Sequence, residues 1–209
     1  MIVAICAGGP LMEVAFSLKP DKWIGVDRGA LYLVDEAIIP DAIVGDFDSV
    51  TAEEFARISK VVVHIEQFQA EKDETDTDLA LVKALEYAPA EIWLTGVTGG
   101  RLDHYEAVLR SVYDLQQQHP EIIFKIVNPY NEIQFLQPGT HVLTKGECSY
   151  VSFFAYGQTL TNVTLRGVKY ETTDEVIEQG TTRFTSNEIL CEGSISFCGG
   201  ICLMIKSRD

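Results

Sequence analysis

The chain has 209 residues, of which 46% are hydrophobic and 22% charged, and this composition is ordinary for a globular protein of one or two domains. Its formal net charge of −15 argues against nucleic acid and anionic membranes as partners, because both recruit clustered Lys and Arg. No run approaches the roughly 18 apolar residues of a membrane span. The apolar start, Ile2 to Cys6, fits a first core strand better than a signal peptide, so we expect a cytoplasmic protein. The cysteine count is 5 and no Cys-x-x-Cys pair occurs, which disfavours a disulfide framework or a zinc site.

The first part of the chain alternates short apolar runs with segments of helical periodicity. This alternation predicts right-handed crossovers and a mostly parallel sheet covered on both faces. Strands are predicted at residues 2–6, 23–26, 42–44, 61–65, 91–95 and 122–127. Helices are predicted at residues 30–38, 51–58, 74–88 and 101–118. A capping-box pattern, Thr51-Ala-Glu-Glu54, opens the second helix. Val82 is expected on the apolar side of the third helix. The residues expected to face inward on the fourth helix are Leu102, Tyr105, Val108, Leu109, Val112 and Leu115.

The pattern changes near Asn128-Pro129. From there no helical periodicity is found, and short β-rich runs are separated by glycines, which predicts a sandwich or barrel. We therefore predict two domains, an α/β domain at 1–130 and an all-β domain at 131–209. The predicted strands of the second domain are 132–136, 141–143, 150–156, 159–165, 168–172, 194–197 and 201–205.

Two aspartates, Asp46 and Asp48, follow the third predicted strand in the segment Gly45 to Ser49. Side chains at i and i+2 of a strand share a face. Carboxylates held close repel one another unless a cation or proton lies between them. Magnesium is such a cation, and it keeps phosphate oxygens among its ligands. The alternative is an aspartate-rich turn followed by a helix cap.

A second acidic segment, with Asp73, Asp76 and Asp78, begins the helix predicted at 74–88. Asp73 and Asp76 are three residues apart and would share a helix face. The alternative is structural, because acids in the first turn interact favourably with the helix dipole and Asp73 could be the N-cap.

The third segment, Gly99-Gly100-Arg101-Leu102-Asp103-His104, follows the strand predicted at 91–95. Paired glycines allow a backbone to approach a phosphate, and Arg101 can bind phosphate oxygens with two parallel hydrogen bonds. Asp103 could hold a metal or accept a proton, and His104 could be a base or an orienting group. The alternative is a glycine turn with an Arg–Asp surface pair.

Two glycine turns, Gly8-Gly9 and Asp27-Arg28-Gly29-Ala30, follow the first two strands. They are similar to half of a dinucleotide-binding fingerprint, but Gly-x-Gly-x-x-Gly is absent. All these segments lie at the carboxyl ends of predicted parallel strands, where open α/β sheets bind ligands.

Taken in order, five segments closely resemble the thiamine pyrophosphokinase family, and the resemblance covers nearly the whole chain. It implies a Rossmann-like catalytic domain and a jelly-roll-like β-sandwich. It also implies an enzyme that transfers the diphosphate of ATP to the hydroxyl of thiamine and releases AMP. A homodimer is implied, with thiamine between one subunit's catalytic domain and the other's sandwich. The segments are Val26 to Ala30, Gly45 to Ser49, Lys72 to Asp78, Thr98 to His104 and Thr185 to Glu188.

The same resemblance implies roles for individual residues. The Mg²⁺ ligands would be Asp46, Asp48, Asp73, Asp76 and Asp103. The catalytic residues would be Asp73, Asp76, Arg101 and Asp103. The ATP-binding residues would be Gly8, Gly9, Asp27, Gly29, Asp48, Arg101, Asp103 and His104. The thiamine-binding residues would be Asp73, Asp76, Ser186 and Asn187.

One feature departs from the family pattern. In animal members a tryptophan of the sandwich domain stacks on thiamine, but Trp23 and Trp93 both lie in the first half of this chain. Another group must therefore cover that face of thiamine.

Two other functions fit the same acidic segments. One is a magnesium-dependent phosphohydrolase or nucleotidyltransferase, which would not require thiamine for AMP release. The other is a non-catalytic sensor, which would bind a nucleotide or vitamin without turnover.

Overall fold

The structure is a computed structural model that describes residues 1–67 and 74–209. It has a mixed α/β fold with a large mixed sheet. The chain divides into two compact units, Met1–Pro129 and Tyr130–Asp209. None of the described helices is long and apolar enough to cross a membrane.

In the described part of the first unit, six strands pair in the order β4-β3-β2-β1-β5-β6, and each of these pairs is parallel. The order reverses at β1, which lies between β2 and β5, and such a switch point opens a crevice at the carboxyl ends of the strands. The strands are β1 (Ile2–Cys6), β2 (Lys22–Val26), β3 (Ala42–Gly45), β4 (Ile65–Gln67), β5 (Glu91–Thr95) and β6 (Ile123–Val127). The helices are α1 (Arg28–Asp35), α2 (Ala52–Ser59), α3 (Asp76–Glu86) and α4 (Leu102–Gln118), and a 3₁₀ turn spans Leu11–Glu13.

The central strands are buried on both faces, which explains their continuous apolar sequences. On one face, Ala4 and Trp23 pack against Leu33 of α1. The alternating residues Ile5 and Ile24 point to the other face and are also fully buried. Both faces of this sheet are therefore covered.

Two helices begin at capping boxes. The box predicted at Thr51 is confirmed, since its hydroxyl accepts from the Glu54 amide and the Glu54 carboxylate accepts from the Thr51 amide. Helix α3 has the same arrangement between Thr75 and Asp78. The N-cap of α3 is thus Thr75, and the alternative that placed the cap at residue 73 is wrong.

Three expectations about the first unit are wrong in detail. The strand predicted at 61–65 begins only at Ile65, because the backbone is still turning after α2 and Val62 N–H bonds to the Ile58 carbonyl. Val82 of α3 and Leu102 of α4 were expected to face inward but are 57% and 75% exposed. Val108, Leu109 and Val112 of α4 are buried as expected, and Gln116 is buried with them.

All strand pairs described within the second unit are antiparallel. The longest strand, β9, pairs with β12 through its first half and with β10 and β11 through its second half. It joins two predicted strands into one. The strand predicted at 168–172 is instead the connection between β9, which ends at Val168, and β10, which begins at Thr172. The strands are β7 (Asn131–Leu136), β8 (Gly139–Thr144), β9 (Tyr150–Val168), β10 (Thr172–Ile177), β11 (Ile189–Phe197) and β12 (Gly199–Ser207).

One hydrophobic core unites both halves of β9. Phe153 of its first half and Leu165 of its second half belong to the same buried cluster. Met204 of β12 and Ile195 of β11 complete that cluster from the two groups of strands. The alternating apolar residues of the two groups therefore share a single interior.

Candidate active site

A cavity of about 710 Å³ lies in the first unit, where the strands β1, β2, β3 and β5 end. Its walls include the two glycine pairs that follow β1 and β5 and the aspartates that follow β2 and β3. Asp76, in the first turn of α3, also lines it. Segments that are far apart in sequence thus meet at one edge of the sheet. The predicted site residues on its walls are Gly8, Gly9, Asp27, Asp46, Asp48, Asp76, Gly99, Gly100, Arg101 and His104.

Three carboxylates converge in this cavity. Oxygen atoms of Asp27, Asp46 and Asp76 all lie within 4.8 Å of one another. Burial raises the pKa of Asp27 to about 6, and the nearby charge of Asp76 adds to this shift. The hydrogen bond from the Phe47 amide, at 3.1 Å, acts in the opposite direction. At Asp27, burial and the neighbouring carboxylates therefore outweigh this hydrogen bond.

The local backbone is shaped to hold Asp27 in place. Asp27 itself has φ 46° and ψ −121°, a conformation that costs energy in a residue with a side chain. Gly45 is required opposite it, since a Cβ at Gly45 would lie 1.9 Å from Oδ1 of Asp27. The glycine before Asp46 thus makes room for the neighbouring carboxylate.

The residues present fit a divalent cation. Carboxylate oxygens are the ligands that hard divalent cations such as Mg²⁺ prefer. A cation between Asp27, Asp46 and Asp76 would offset both the burial and the carboxylate repulsion that raise the Asp27 pKa. The chemistry of the donor set and its electrostatics therefore agree.

Asp48 lies beside this cluster without belonging to it. Its side chain is exposed and lines the cavity, while its amide donates to Oδ1 of Asp46 at 3.0 Å. The turn predicted for this segment is thus present, and it orients the carboxylate of Asp46. Asp73 lies outside the described residues.

Asp103 is paired with Arg101. Nε and a terminal nitrogen of Arg101 lie 3.1 and 2.6 Å from the two carboxylate oxygens of Asp103. These hydrogen bonds lower the pKa of Asp103 to about 2. Both side chains are exposed. Arg101 and His104 line the cavity, whereas Asp103 is not among the described residues that do.

Gly29 has a packing role in this structure. A Cβ at this position would lie 2.0 Å from the Cys6 carbonyl oxygen, so only glycine allows α1 to begin so close to β1. Gly29 is buried and is not among the described residues that line the cavity.

A second cavity, of about 380 Å³, lies in the second unit. Asn187 is 5% exposed and lies in its wall. The Asn187 side chain accepts from the Tyr170 amide and donates to the Tyr170 carbonyl, both at 2.9 Å. Ser186 is exposed, with φ 57°, and its amide donates to Oγ of Ser152. The other lining residues are Tyr170, Glu171, Thr172, Arg183, Phe184 and Thr185.

Two features of these cavities were missed by the sequence reasoning. Asp27 was expected to bind nucleotide and not to join the carboxylate cluster. It follows β2 directly, as Asp46 follows β3, so the same strand-end signal was present. The ring of Tyr170, which is 62% exposed at the second cavity, had no such signal in the sequence.

Two family models match the chain. The thiamin pyrophosphokinase catalytic domain matches residues 17–124, and the thiamin pyrophosphokinase vitamin B1 binding domain matches residues 140–202. A curated thiamine pyrophosphokinase of Bacillus subtilis is 38% identical over 213 residues, which covers 99% of both chains. The chain belongs to the thiamin pyrophosphokinase family. The resemblance found in the sequence is thereby confirmed.

Crystal structures of thiamin pyrophosphokinases from several organisms share this fold. The Bacillus subtilis structure is 38% identical, with a TM-score of 0.93 and full coverage of both chains. The structure from Geobacillus thermodenitrificans is 34% identical, with a TM-score of 0.90 over 100% of this chain and 98% of that one. A Candida albicans thiamin pyrophosphokinase is 16% identical with a TM-score of 0.85, over 100% of this chain and 89% of that one, and this likeness concerns the fold alone.

Proposed function

We propose that the chain is a thiamine pyrophosphokinase, which transfers the diphosphate of ATP to the hydroxyl of thiamine and releases AMP. The observation that carries the proposal is the convergence of Asp27, Asp46 and Asp76 in a cavity lined by two glycine pairs. In a chain of this family, such a cavity suits a triphosphate with a bound cation.

The two units correspond, in this proposal, to a Rossmann-like catalytic domain at 1–130 and a jelly-roll-like sandwich domain at 131–209. The parallel strand order with its switch at β1 supports the first assignment. The passage of β9 between two groups of strands around one core supports the second.

The proposed cation is Mg²⁺, held by Asp27, Asp46 and Asp76. Asp48 and Asp73 are proposed as further ligands or as groups that bind its water. When bound, the ion would neutralise the oxygens of the reacting phosphates. The carboxylates fix its place at the ends of β2 and β3 and the start of α3.

The phosphates of ATP would lie against the glycine pairs. Gly8-Gly9 and Gly99-Gly100 present backbone without side chains to the cavity, so phosphate oxygens can approach this backbone closely. Arg101 would move from Asp103 to the phosphates, where two parallel hydrogen bonds stabilise the charge that develops during transfer. His104 lines the same region and would orient these groups.

Thiamine would use the second cavity. Its cationic ring suits the acidic surroundings expected from a net charge of −15. We propose that the exposed ring of Tyr170 covers the thiamine face that tryptophan covers in animal members. Asn187 would hold Tyr170 in position, and Ser186 would bind the pyrimidine. Asp73 or Asp76 would accept the proton of the attacking hydroxyl.

A homodimer completes the proposal. Thiamine would be held by the catalytic domain of one subunit and the sandwich domain of the other. A two-fold symmetric dimer of this kind has two equivalent active sites.

The deciding experiment measures AMP release from ATP and Mg²⁺ with and without thiamine. One thiamine diphosphate formed for each AMP, and no AMP without thiamine, is the expected result. If AMP release is the same with and without thiamine, the proposal is wrong and the chain is a phosphohydrolase or nucleotidyltransferase. Tight binding of ATP and thiamine without turnover would instead support a sensor.

A further inference from the structure

Glu13 makes hydrogen bonds behind the loop that follows β5. Its Oε2 accepts from Oγ1 of Thr98 and from Nδ2 of Asn128, both at 2.8 Å. The same Nδ2 lies 2.8 Å from Oγ1 of Thr98. Three segments, the 3₁₀ turn after β1, the loop after β5 and the end of β6, are thereby joined at one carboxylate.

The backbone around Glu13 is tied to the same region. The Glu13 amide donates to the Pro10 carbonyl at 2.8 Å. The amide of Ala15 donates to Oγ1 of Thr95 at 2.8 Å, and Thr95 is fully buried at the end of β5. The position of Glu13 relative to the β5 loop is therefore defined from both sides.

The loop held in this way is Thr98 to Arg101, and its two glycines pack onto the Glu13 segment. Gly99 and Gly100 have φ of 76° and 64°. A Cβ on Gly99 would lie 3.0 Å from Cγ of Glu13. An untethered pair of glycines would sample many conformations, and fixing each residue costs conformational entropy. The contacts with Glu13 reduce the number of conformations open to this loop.

Gly99, Gly100 and Arg101 line the large cavity, but Glu13 is not among the described residues that do. Any effect of Glu13 on a ligand in that cavity must therefore pass through the loop. A carboxylate suits this place, because hydrogen bonds to a charged acceptor are roughly twice as strong as neutral ones.

We propose that Glu13 is a positioning residue that presents the Thr98–Arg101 loop to the phosphates of the nucleotide. This inference rests on the proposed function, since it assumes that the phosphates of ATP occupy the cavity. It adds a residue that none of the acidic or glycine-rich motifs contains.

The test measures the Kd of Mg·ATP and the melting temperature of the full chain and its variants. Glu13→Ala should weaken Mg·ATP binding about tenfold, since two hydrogen bonds that order the loop are lost. Thr98→Val removes the partner on the loop and should have a similar effect. Glu13→Gln keeps an oxygen for both donors and should stay within about threefold of the parent.

The matched control is Glu91→Ala. Glu91 also accepts two hydrogen bonds, from Trp93 Nε1 at 2.8 Å and from Lys125 Nζ at 3.0 Å. It lies at the amino end of β5, at the opposite edge of the sheet from the cavity. Its loss should lower the melting temperature and leave the Kd of Mg·ATP unchanged.

A double-mutant cycle tests whether Glu13 acts through its hydrogen bond to the loop. If it does, Glu13→Ala with Thr98→Val should bind Mg·ATP within about twofold of Thr98→Val alone. Three results would each overturn the inference. They are a Kd of the double variant that is weakened by the product of the two single effects, an unchanged Kd in Glu13→Ala, and an equal weakening of Mg·ATP binding in Glu91→Ala.

Failure of the proposed function is distinguishable from failure of this inference. A parent chain that binds Mg·ATP but releases no AMP with thiamine would refute the function, and the Kd values would still decide the role of Glu13. A parent chain that binds no Mg·ATP would overturn both.

Discussion

Asp27 shows how a single residue can combine strain, burial and charge. Its backbone has a positive φ, its carboxylate accepts the Phe47 amide, and its neighbours in space are Asp46 and Asp76. These features cost stability in the absence of a cation, and proteins retain such costs mainly at functional sites. Asp27 is therefore as informative about function as the aspartates of the acidic motifs.

The first prediction concerns the pH dependence of stability. Burial and Asp76 raise the Asp27 pKa from 3.8 to about 6. The stabilisation linked to its proton is complete below the unfolded pKa and is lost as the pH rises through the folded pKa. Asp27→Asn, which keeps the oxygen that accepts from Phe47, should therefore stabilise the metal-free protein at pH 8 and not at pH 4. After a discount for partial solvent exposure we expect about 1 kcal/mol.

Melting curves from pH 4 to 8 in a metal chelator test this expectation. Asp114→Asn, on the exposed surface of α4, is the control and should show no such trend. A stability difference between Asp27→Asn and the parent that does not change with pH would contradict the argument. Added Mg²⁺ should raise the melting temperature of the parent more than that of Asp27→Asn.

The second prediction compares two neighbouring aspartates. Asp46 belongs to the three-carboxylate cluster, whereas Asp48 lies beside it. Asp46→Asn should reduce turnover at least about 100-fold, because it removes a charge from the proposed cation site. Asp48→Asn should have a smaller effect on turnover if Asp48 binds only the water ligands of the cation. If both variants lose turnover equally and need equally more Mg²⁺ for half-maximal activity, Asp48 is a direct ligand of the cation.

At the scale of secondary structure, the N-terminus of α3 carries the third carboxylate of the cluster. The Asp78 carboxylate accepts from the Thr75 amide at 3.1 Å, and its Oδ1 accepts from Ser111 on α4 at 2.6 Å. The capping box and this link to α4 fix the first turn, and hence Asp76. Helix α2 has an equivalent capping box at Thr51 that does not line the cavity.

This pair of helices provides the third prediction. Asp78→Ala and Glu54→Ala each break a capping box and should each lower the melting temperature, Asp78→Ala by more because it also loses the hydrogen bond from Ser111. Only Asp78→Ala should also lower kcat, by about tenfold, because it loosens the turn that places Asp76. Ser111→Ala should reproduce part of that loss. Equal kcat in the Asp78 and Glu54 variants would show that the position of Asp76 does not depend on the cap.

At the scale of the whole molecule, the two units have cavities that differ in the chemistry of their lining residues. The first cavity is lined by carboxylates and glycines, and the second by aromatic, amide and charged side chains around Tyr170 and Asn187. This division agrees with the matches of a catalytic model to residues 17–124 and a vitamin-binding model to 140–202. The proposed dimer would bring the two kinds of cavity together across subunits.

Mixing two inactive variants gives the fourth prediction. Asp76→Asn disables the first unit and Tyr170→Ala the second, so neither homodimer should be active. After co-refolding, half of the dimers are mixed, and one of the two sites in each mixed dimer has both intact parts. About a quarter of the parent activity is therefore expected from the symmetry. An inactive mixture, with mixed dimers verified by mass spectrometry, would show that each site lies within one chain.

Sequence patterns alone identified most elements of the first unit. The continuous apolar runs predicted β1, β2, β3, β5 and β6, because strands buried on both faces need such runs. The loss of helical periodicity in the apolar residues after residue 128 predicted the change to an all-β unit. The order of five short segments along the chain also identified the family.

Only the tertiary structure decided which side chains meet. Asp27, Asp46 and Asp76 converge because β2, β3 and α3 are neighbours in space, which no local spacing reveals. Asp103, expected near the cation, pairs with Arg101 two residues away. Glu13 reaches residues 85 and 115 positions away. Local periodicity fixes which face a residue occupies within its own element, whereas contacts between elements depend on strand order and crossover, and these are properties of the folded chain.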